Sequence, residues 1–228
     1  MTLRIGLLDS GIDDQLTDFV ADSAAFYLDE NGNVKQEPAA EDRTGHGSQL
    51  ARIILCGDGE IELLSAQVFS DRGASSPVVI AAGLDWLVKI GARVINMSLG
   101  LATDRSVMRE ACLRALKADV FLVASSPPRG EPVYPAAYEG VIGVSGDARC
   151  KPWEHSYLGS ATALFGACVH AAGEKPGSPG VSGASIAAAH MTREVARQLR
   201  SRSDLSSAEI IQKISENCHY HGAEKRTR

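Results

Sequence analysis

Three short segments of this sequence carry side chains of the types used in nucleophilic catalysis. Asp9 ends the run Ile5-Gly6-Leu7-Leu8 and is followed by Ser10 and Gly11. His46 stands between Gly45 and Gly47, and Ser185 follows Gly183 and Ala184. A hydroxyl becomes a nucleophile only beside a base, and an imidazole base works best when a third group orients it. Taken singly, each residue also has a plain structural reading. Asp9 suits a turn closed by Gly11, His46 a helix start, and Ser185 a helix cap.

The elements around them must decide whether they meet. Short, nearly continuous apolar runs at 3–8, 63–69, 93–98, 120–124 and 141–144 predict strands buried on both faces of a parallel sheet. One helix is predicted to start near His46, with Leu50, Ile53 and Ile54 on one side. Ser76 predicts an N-cap with Pro77 at the first helical position, where a missing N–H costs nothing. Val79, Gly83, Trp86 and Ile90 then recur at helical spacing. Further helices are expected over about 104–117, from Ser185 to about 200, and from Ser206, where Glu209 suits a capping box. Residues 26–45 read as a hairpin or long loop, and 146–182 as short strands and turns.

This alternation predicts an α/β fold of three layers, a mostly parallel central sheet with helices on both faces. In such sheets ligands bind outside the carboxyl ends of the strands, which is where Asp9 falls. Ser185 falls in the first turn of an Ala-rich helix, whose N–H groups and dipole face any negative charge that develops there.

Composition bounds the rest. A chain of 228 residues suits one domain, and with only 5% aromatics its core must rest on Ala, Val, Leu and Ile. A net charge of −5 gives no electrostatic reason to expect nucleic acid as a partner. No window has the ~18 apolar residues of a membrane span. Five widely spaced cysteines without a CxxC argue against a disulfide framework and for a reducing, cytoplasmic compartment.

In the order Asp, His, Ser, the three segments resemble the signatures of the subtilisin-like serine proteases, the subtilase family. Val94-Ile95-Asn96-Met97-Ser98-Leu99-Gly100 is similar to that family's substrate-binding strand. Tyr134-Pro135-Ala136-Ala137-Tyr138, with Val141-Ile142-Gly143-Val144, resembles the stretch after its oxyanion loop. The resemblance covers most of the chain and implies one subtilisin-like peptidase domain over 1–228, with a flexible tail from about 217. It further implies that Ser185 is the nucleophile, His46 the base and Asp9 the residue that orients the imidazole. Ser98, Leu99 and Gly100 would pair with an extended peptide, and Ala124, Ser125 and Ser126 would form the other cleft wall.

The sequence departs from the family in two places beside the reacting serine. The family's oxyanion Asn is missing, since no Asn occurs between Asn96 and Asn217, and Ala184 replaces the Thr that usually precedes the nucleophile. In subtilisin itself, losing that amide costs on the order of 10²–10³ in turnover. The remaining oxyanion candidates are the Ser185 N–H and the hydroxyls of Ser125 and Ser126. Limited processing of a particular peptide or protein is therefore expected rather than bulk digestion. The runner-up readings are a peptide-binding scaffold with little turnover and acyl transfer to an amine. With no prodomain upstream of the first strand, the chain folds unaided, is helped by an activating or chaperoning partner, or is a processed form.

No cofactor is expected, and calcium is not indicated. Asp13, Asp14 and Asp42 read as solvated surface charge, and Cys218-His219-Tyr220-His221 as a frayed polar tail rather than a metal site. His190 is expected to pack, and Cys56 and Cys112 to act as buried small hydrophobes.

Overall fold

The computed structural model describes residues 2–56, 60–171 and 183–223. The strands are β1 (Leu3–Asp9), β2 (Val20–Leu28), β3 (Val34–Pro38), β4 (Ile61–Gln67), β5 (Val94–Met97), β6 (Phe121–Ser125), β7 (Ile142–Gly146), β8 (His155–Tyr157), β9 (Phe165–Ala167) and β10 (Tyr220–His221). They form one ten-stranded sheet in the order β10-β8-β9-β7-β6-β5-β1-β4-β2-β3. From β9 through β2 all neighbours run parallel; β3 pairs antiparallel with β2, and β8 antiparallel with β9.

Five α-helices cover the sheet: α1 (His46–Leu55), α2 (Pro77–Lys89), α3 (Ser106–Lys117), α4 (Ala184–Ser201) and α5 (Ser207–Glu216). Ile5 and Leu7 of β1 join the core formed with α1, α4 and α5, while Leu8 joins the core formed with α2 and α3. Alternation along a buried strand thus feeds both helix layers. The three-layer α/β expectation holds.

Local chemistry starts the helices where the sequence places them. Ser76 accepts the Val79 N–H ahead of Pro77, and Ser206 and Glu209 form a complete capping box. Gly83 lies on the packed face of α2, where an added Cβ would come within 2.6 Å of Val68 and 2.9 Å of Leu8. The stretch 26–45 is a hairpin, but its first strand begins at Val20, which the adjacent Asp22 and Ser23 among small residues concealed.

The C-terminal expectation needs correction. Residues 217–223 are not a frayed tail. Tyr220 and His221 pair with β8, and the His219 and Gly222 amides donate to the His155 and Tyr157 carbonyls at 2.9 Å each. The Arg149 guanidinium stacks on Tyr220, with 5.0 Å to the ring centroid, and bonds the Gly222 carbonyl. Short polar segments of this kind carry little periodic signal, so only a sheet edge waiting for them makes them strands.

Candidate active site

Chain order puts β4 on one side of β1 and, after α2, β5 on the other. The carboxyl end of β1 is therefore a topological switch point, where a crevice opens. Asp9 is the last residue of β1, with its side chain only 1% exposed. His46 is the first residue of α1, and its Nδ1–H donates to Asp9 Oδ1 at 2.6 Å. Asp9 Oδ1 also accepts from the Ser10 amide at 2.8 Å and the Ser10 hydroxyl at 3.2 Å. Asp9 Oδ2 is buried without a hydrogen-bond partner among the described residues.

Two glycines make this approach possible. Gly45 caps α1 with φ of 73°, in the left-handed region that costs an L-residue free energy. A Cβ on Gly47 would lie 2.2 Å from the Gly11 carbonyl oxygen and 3.3 Å from Asp9 Cβ. The flanking glycines thus let the helix start press onto the β1 turn, and the imidazole arrives beside the carboxylate.

Asp42 holds the same turn from behind. It was expected to be solvated surface charge; it is 7% exposed instead. Its Oδ1 accepts from the Ser10 hydroxyl at 2.9 Å, the Thr44 amide and hydroxyl at 3.1 and 3.0 Å, and the Gly45 amide at 2.9 Å. Its Oδ2 accepts from the Ser48 amide at 2.9 Å and hydroxyl at 2.6 Å. An acid at a helix N-terminus is favoured by the helix dipole and satisfies amides that have no intrahelical partner. Burial opposes the Asp42 charge, but the bonds from Ser48, Ser10 and Thr44 lower its pKa nonetheless. Asp13 likewise is engaged, accepting the Gln15 amide and pairing with Arg52, whereas Asp14 is exposed.

These carboxylates set the electrostatics of His46. Burial alone would lower its pKa; the Asp9 hydrogen bond, the Asp9 charge and the Asp42 charge together raise it. The arrangement therefore stabilises an imidazolium, the species a general base becomes when it takes a proton.

A cleft of about 540 Å³ runs past this pair, lined on one side by Asp9, Ser10 and His46 and on the other by Ser98, Leu99 and Gly100. Leu101, which also lines it, forms an antiparallel bridge with Tyr134. Among the described residues, the amides of Ser98, Leu99 and Gly100 have no backbone acceptor, so this rim presents free donors to an extended chain.

Ser185 lies in the first turn of α4, half-buried. Its carbonyl accepts from the Ser98 hydroxyl at 3.4 Å, which seats the helix start at the end of β5. A second tie lies deeper, where Thr192 of α4 donates to the buried Asn96 side chain at 2.9 Å. The Ser185 hydroxyl makes no hydrogen bond among the described residues. Asp9 and His46 are thus directly bonded, whereas Ser185 is not among the residues that line their cleft and is tied to its rim only by its carbonyl on Ser98.

The other cleft wall differs from expectation. Ala124 is fully buried among the α2 and α3 core residues, and its strand pairs on both sides, so it offers nothing to a ligand. The Ser126 hydroxyl is 1% exposed with its residue and donates to the Thr162 carbonyl at 2.6 Å, away from any oxyanion role. Ser125 ends β6, 7% exposed, and its hydroxyl reaches the Leu99 carbonyl at 3.5 Å. The polar residues that sequence reasoning missed are Ser10, Thr44 and Ser48. The visible signal was an Asp a few residues before a helix start with hydroxyls on either side.

The chain is similar to known proteins along most of its length. The subtilase family model matches residues 2–225. The thermostable alkaline protease of Halalkalibacterium halodurans is 28% identical over 235 residues, covering 96% of this chain and 63% of that protein. Subtilisin DY of Bacillus licheniformis is 25% identical over 232 residues, covering 93% of this chain and 82% of its own. The structure of the S41 psychrophilic protease superposes with a TM-score of 0.74 over 96% of this chain and 85% of its own; at 18% identity it speaks to the fold alone. By the match that spans nearly its whole length, this chain belongs to the subtilase family, the subtilisin-like serine proteases.

Proposed function

We propose that this protein is a serine endopeptidase in which Ser185 attacks the scissile carbonyl, His46 takes the hydroxyl proton and Asp9 orients the imidazole. The observation that carries this reading is the 2.6 Å bond between His46 Nδ1 and Asp9, at the wall of a cleft shared with Ser98, Leu99 and Gly100. With Nδ1–H donated to Asp9, the Nε2 lone pair is left to accept the proton. His46 gives that proton to the departing amine as the acyl-enzyme forms on Ser185; it then takes a proton from the attacking water and returns it to the Ser185 oxygen as the acid product leaves.

The substrate in this proposal is one particular peptide or protein segment, bound extended along the rim of Ser98, Leu99 and Gly100. Selective rather than bulk cleavage follows from the poverty of the oxyanion side. With Ser126 engaged by Thr162 and no Asn in the region, the Ser185 amide, in a helix first turn, is the main donor left to the tetrahedral intermediate. The cytoplasm is the proposed compartment, supported by five cysteines that are all unpaired. The same shortage of oxyanion donors favours one second reading, a scaffold that holds a peptide with little turnover. An activating partner belongs to that reading.

Labelling with a fluorophosphonate, read by intact mass on wild type and on Ser185→Ala, tests the proposal. One adduct that disappears in the variant is expected. A folded wild type that takes no adduct would overturn the enzymatic reading and leave the scaffold.

A further inference from the structure

Beside the cleft lies a second groove, of about 510 Å³, and the two share Phe69, Ala74 and Ser75 as a common wall. It opens where β4 stops. β2 and β4 pair as far as Ala25 with Gln67, and the chain then turns toward β1, with the Val68 and Phe69 amides donating to the Asp9 carbonyl at 2.8 and 3.4 Å. β2 runs on to Leu28. Its last three residues, Phe26, Tyr27 and Leu28, line the groove and pair only with β3 among the described strands.

Register decides which backbone groups face outward here. In an antiparallel pair, opposed residues alternate between exchanging hydrogen bonds and turning both amide and carbonyl to the far side. The Asp29 amide donates to the Asn33 carbonyl at 2.9 Å, so Leu28 opposite Val34 and Phe26 opposite Gln36 are outward-turned pairs. Pro38, which has no N–H to give, stands opposite Ala24 in the same phase, as this alternation requires. Leu28 accordingly directs its N–H and C=O away from β3, on the side where β4 has ended. Among the described residues neither group has a hydrogen-bond partner.

The side chains around this open edge are apolar. Leu28 and Tyr27 are 40% and 39% exposed, and Phe69 and Val79 also line the groove. Arg43 and Asp71, which line it too, pair with each other at 3.0 Å. Glu41 is then the one lining charge without an ion pair among the described residues, which disfavours an acidic occupant. Unpaired strand groups beside exposed apolar side chains suit an extended peptide, whose main chain supplies the bonds and whose side chains supply the contact.

We propose, on the reading that the cleft holds a peptide substrate, that the groove takes the continuation of that same extended segment. It adds as a short strand to the main chain of Leu28, with an apolar side chain against Leu28 and Phe69. Continuity identifies the occupant, since a peptide that leaves the cleft across Phe69, Ala74 and Ser75 is already in the groove. Selectivity for one substrate then comes partly from a stretch of its sequence remote from the bond that is cut.

Affinity selection on the full chain carrying Ser185→Ala tests this without requiring turnover. The probe is a display library of random peptides of about twelve residues, roughly 40 Å when extended. With a selected peptide bound, amide hydrogen exchange should slow both at Leu28 and within Ser98–Gly100. Leu28→Pro deletes the outward N–H, a change that an unpaired strand side tolerates, and should weaken binding roughly 3- to 10-fold, the worth of one main-chain bond. Leu28→Glu, at an exposed side chain, should weaken it about 5-fold and serves if the proline variant does not fold. Slowed exchange within Ser98–Gly100 with Leu28 unchanged would overturn the groove and leave the cleft standing. Slowed exchange at Leu28 alone would overturn the continuity of the two, as would unchanged affinity in both variants overturn the edge pairing. Failure of a fluorophosphonate to label the wild type bears on the enzymatic reading alone, because the selection uses a chain without the nucleophile.

Discussion

Around the carboxyl end of β1, Ser10, Asp42, Thr44 and Ser48 form a closed set of hydrogen bonds that leads to His46. At the carboxyl end of β6, Ser125 and Ser126 turn their hydroxyls toward the carbonyls of Leu99 and Thr162. Both ends border the same reacting region, yet one is crowded with donors aimed at carboxylates and the other directs its hydroxyls into the fold. The difference separates two tasks of an acyl-transfer site. Orientation of the base is over-determined, because a charged acceptor recruits many donors. In the proposed mechanism, stabilisation of the oxyanion is left mainly to the Ser185 amide, whose position is set by helix α4 itself.

Breaking the crowded end should have the largest effect. Asp9→Asn removes the charge and the correct bond to His46, and kcat should fall about 10⁴-fold. The base works as neutral imidazole, so activity rises with pH through the raised His46 pKa. Because Asp9 supplies the larger upward contributions, ahead of Asp42, the acid limb of kcat/KM should move to lower pH in the variant. A limb that stays in place would remove Asp9 from control of the base.

Asp42→Ala should act next, through stability. It strands buried amides and hydroxyls, and urea denaturation should show a loss of roughly 2–4 kcal/mol. The Asp42 pKa is lowered in the folded state, so this contribution is present above the unfolded carboxylate value and fades as pH falls through the folded one. The gap between wild type and variant should therefore close on acidification. A gap that is constant with pH would show that packing, not the charge, matters at this position.

The smallest change is expected at the sparse end. Ser126→Ala should leave turnover within about twofold while lowering stability by about 1 kcal/mol, the worth of one buried hydroxyl bond. A loss of 10² in turnover would return Ser126 to the oxyanion and erase the contrast between the two ends.

Much of the fold was legible in the chain. The apolar runs around Leu7, Ile95 and Leu122 had the lengths of buried strands, and Ser76-Pro77 and Ser206 with Glu209 marked their helix starts directly. Such signals are local, since a cap or an apolar run acts within a few residues of itself. What escaped was non-local. Val20 to Ala25 is mostly small residues broken by Asp22-Ser23 and carries no strand period, and Tyr220-His221 becomes a strand only because β8 offers an unpaired side.

The site divides in the same way. The sequence by itself singled out the candidate residues, because an acid past a strand, a glycine-flanked histidine and a serine in a helix first turn are properties of short segments whose order resembles one family's. Only the tertiary structure decided how they are supported. Asp42, Ser10 and Ser48 come from different elements, and whether a hydroxyl at 126 meets an oxyanion or the Thr162 carbonyl depends on a loop thirty-six residues away. Burial makes that choice. Once water is excluded, each polar atom must find its partner within the fold, and the partner is set by packing rather than by neighbours in the chain.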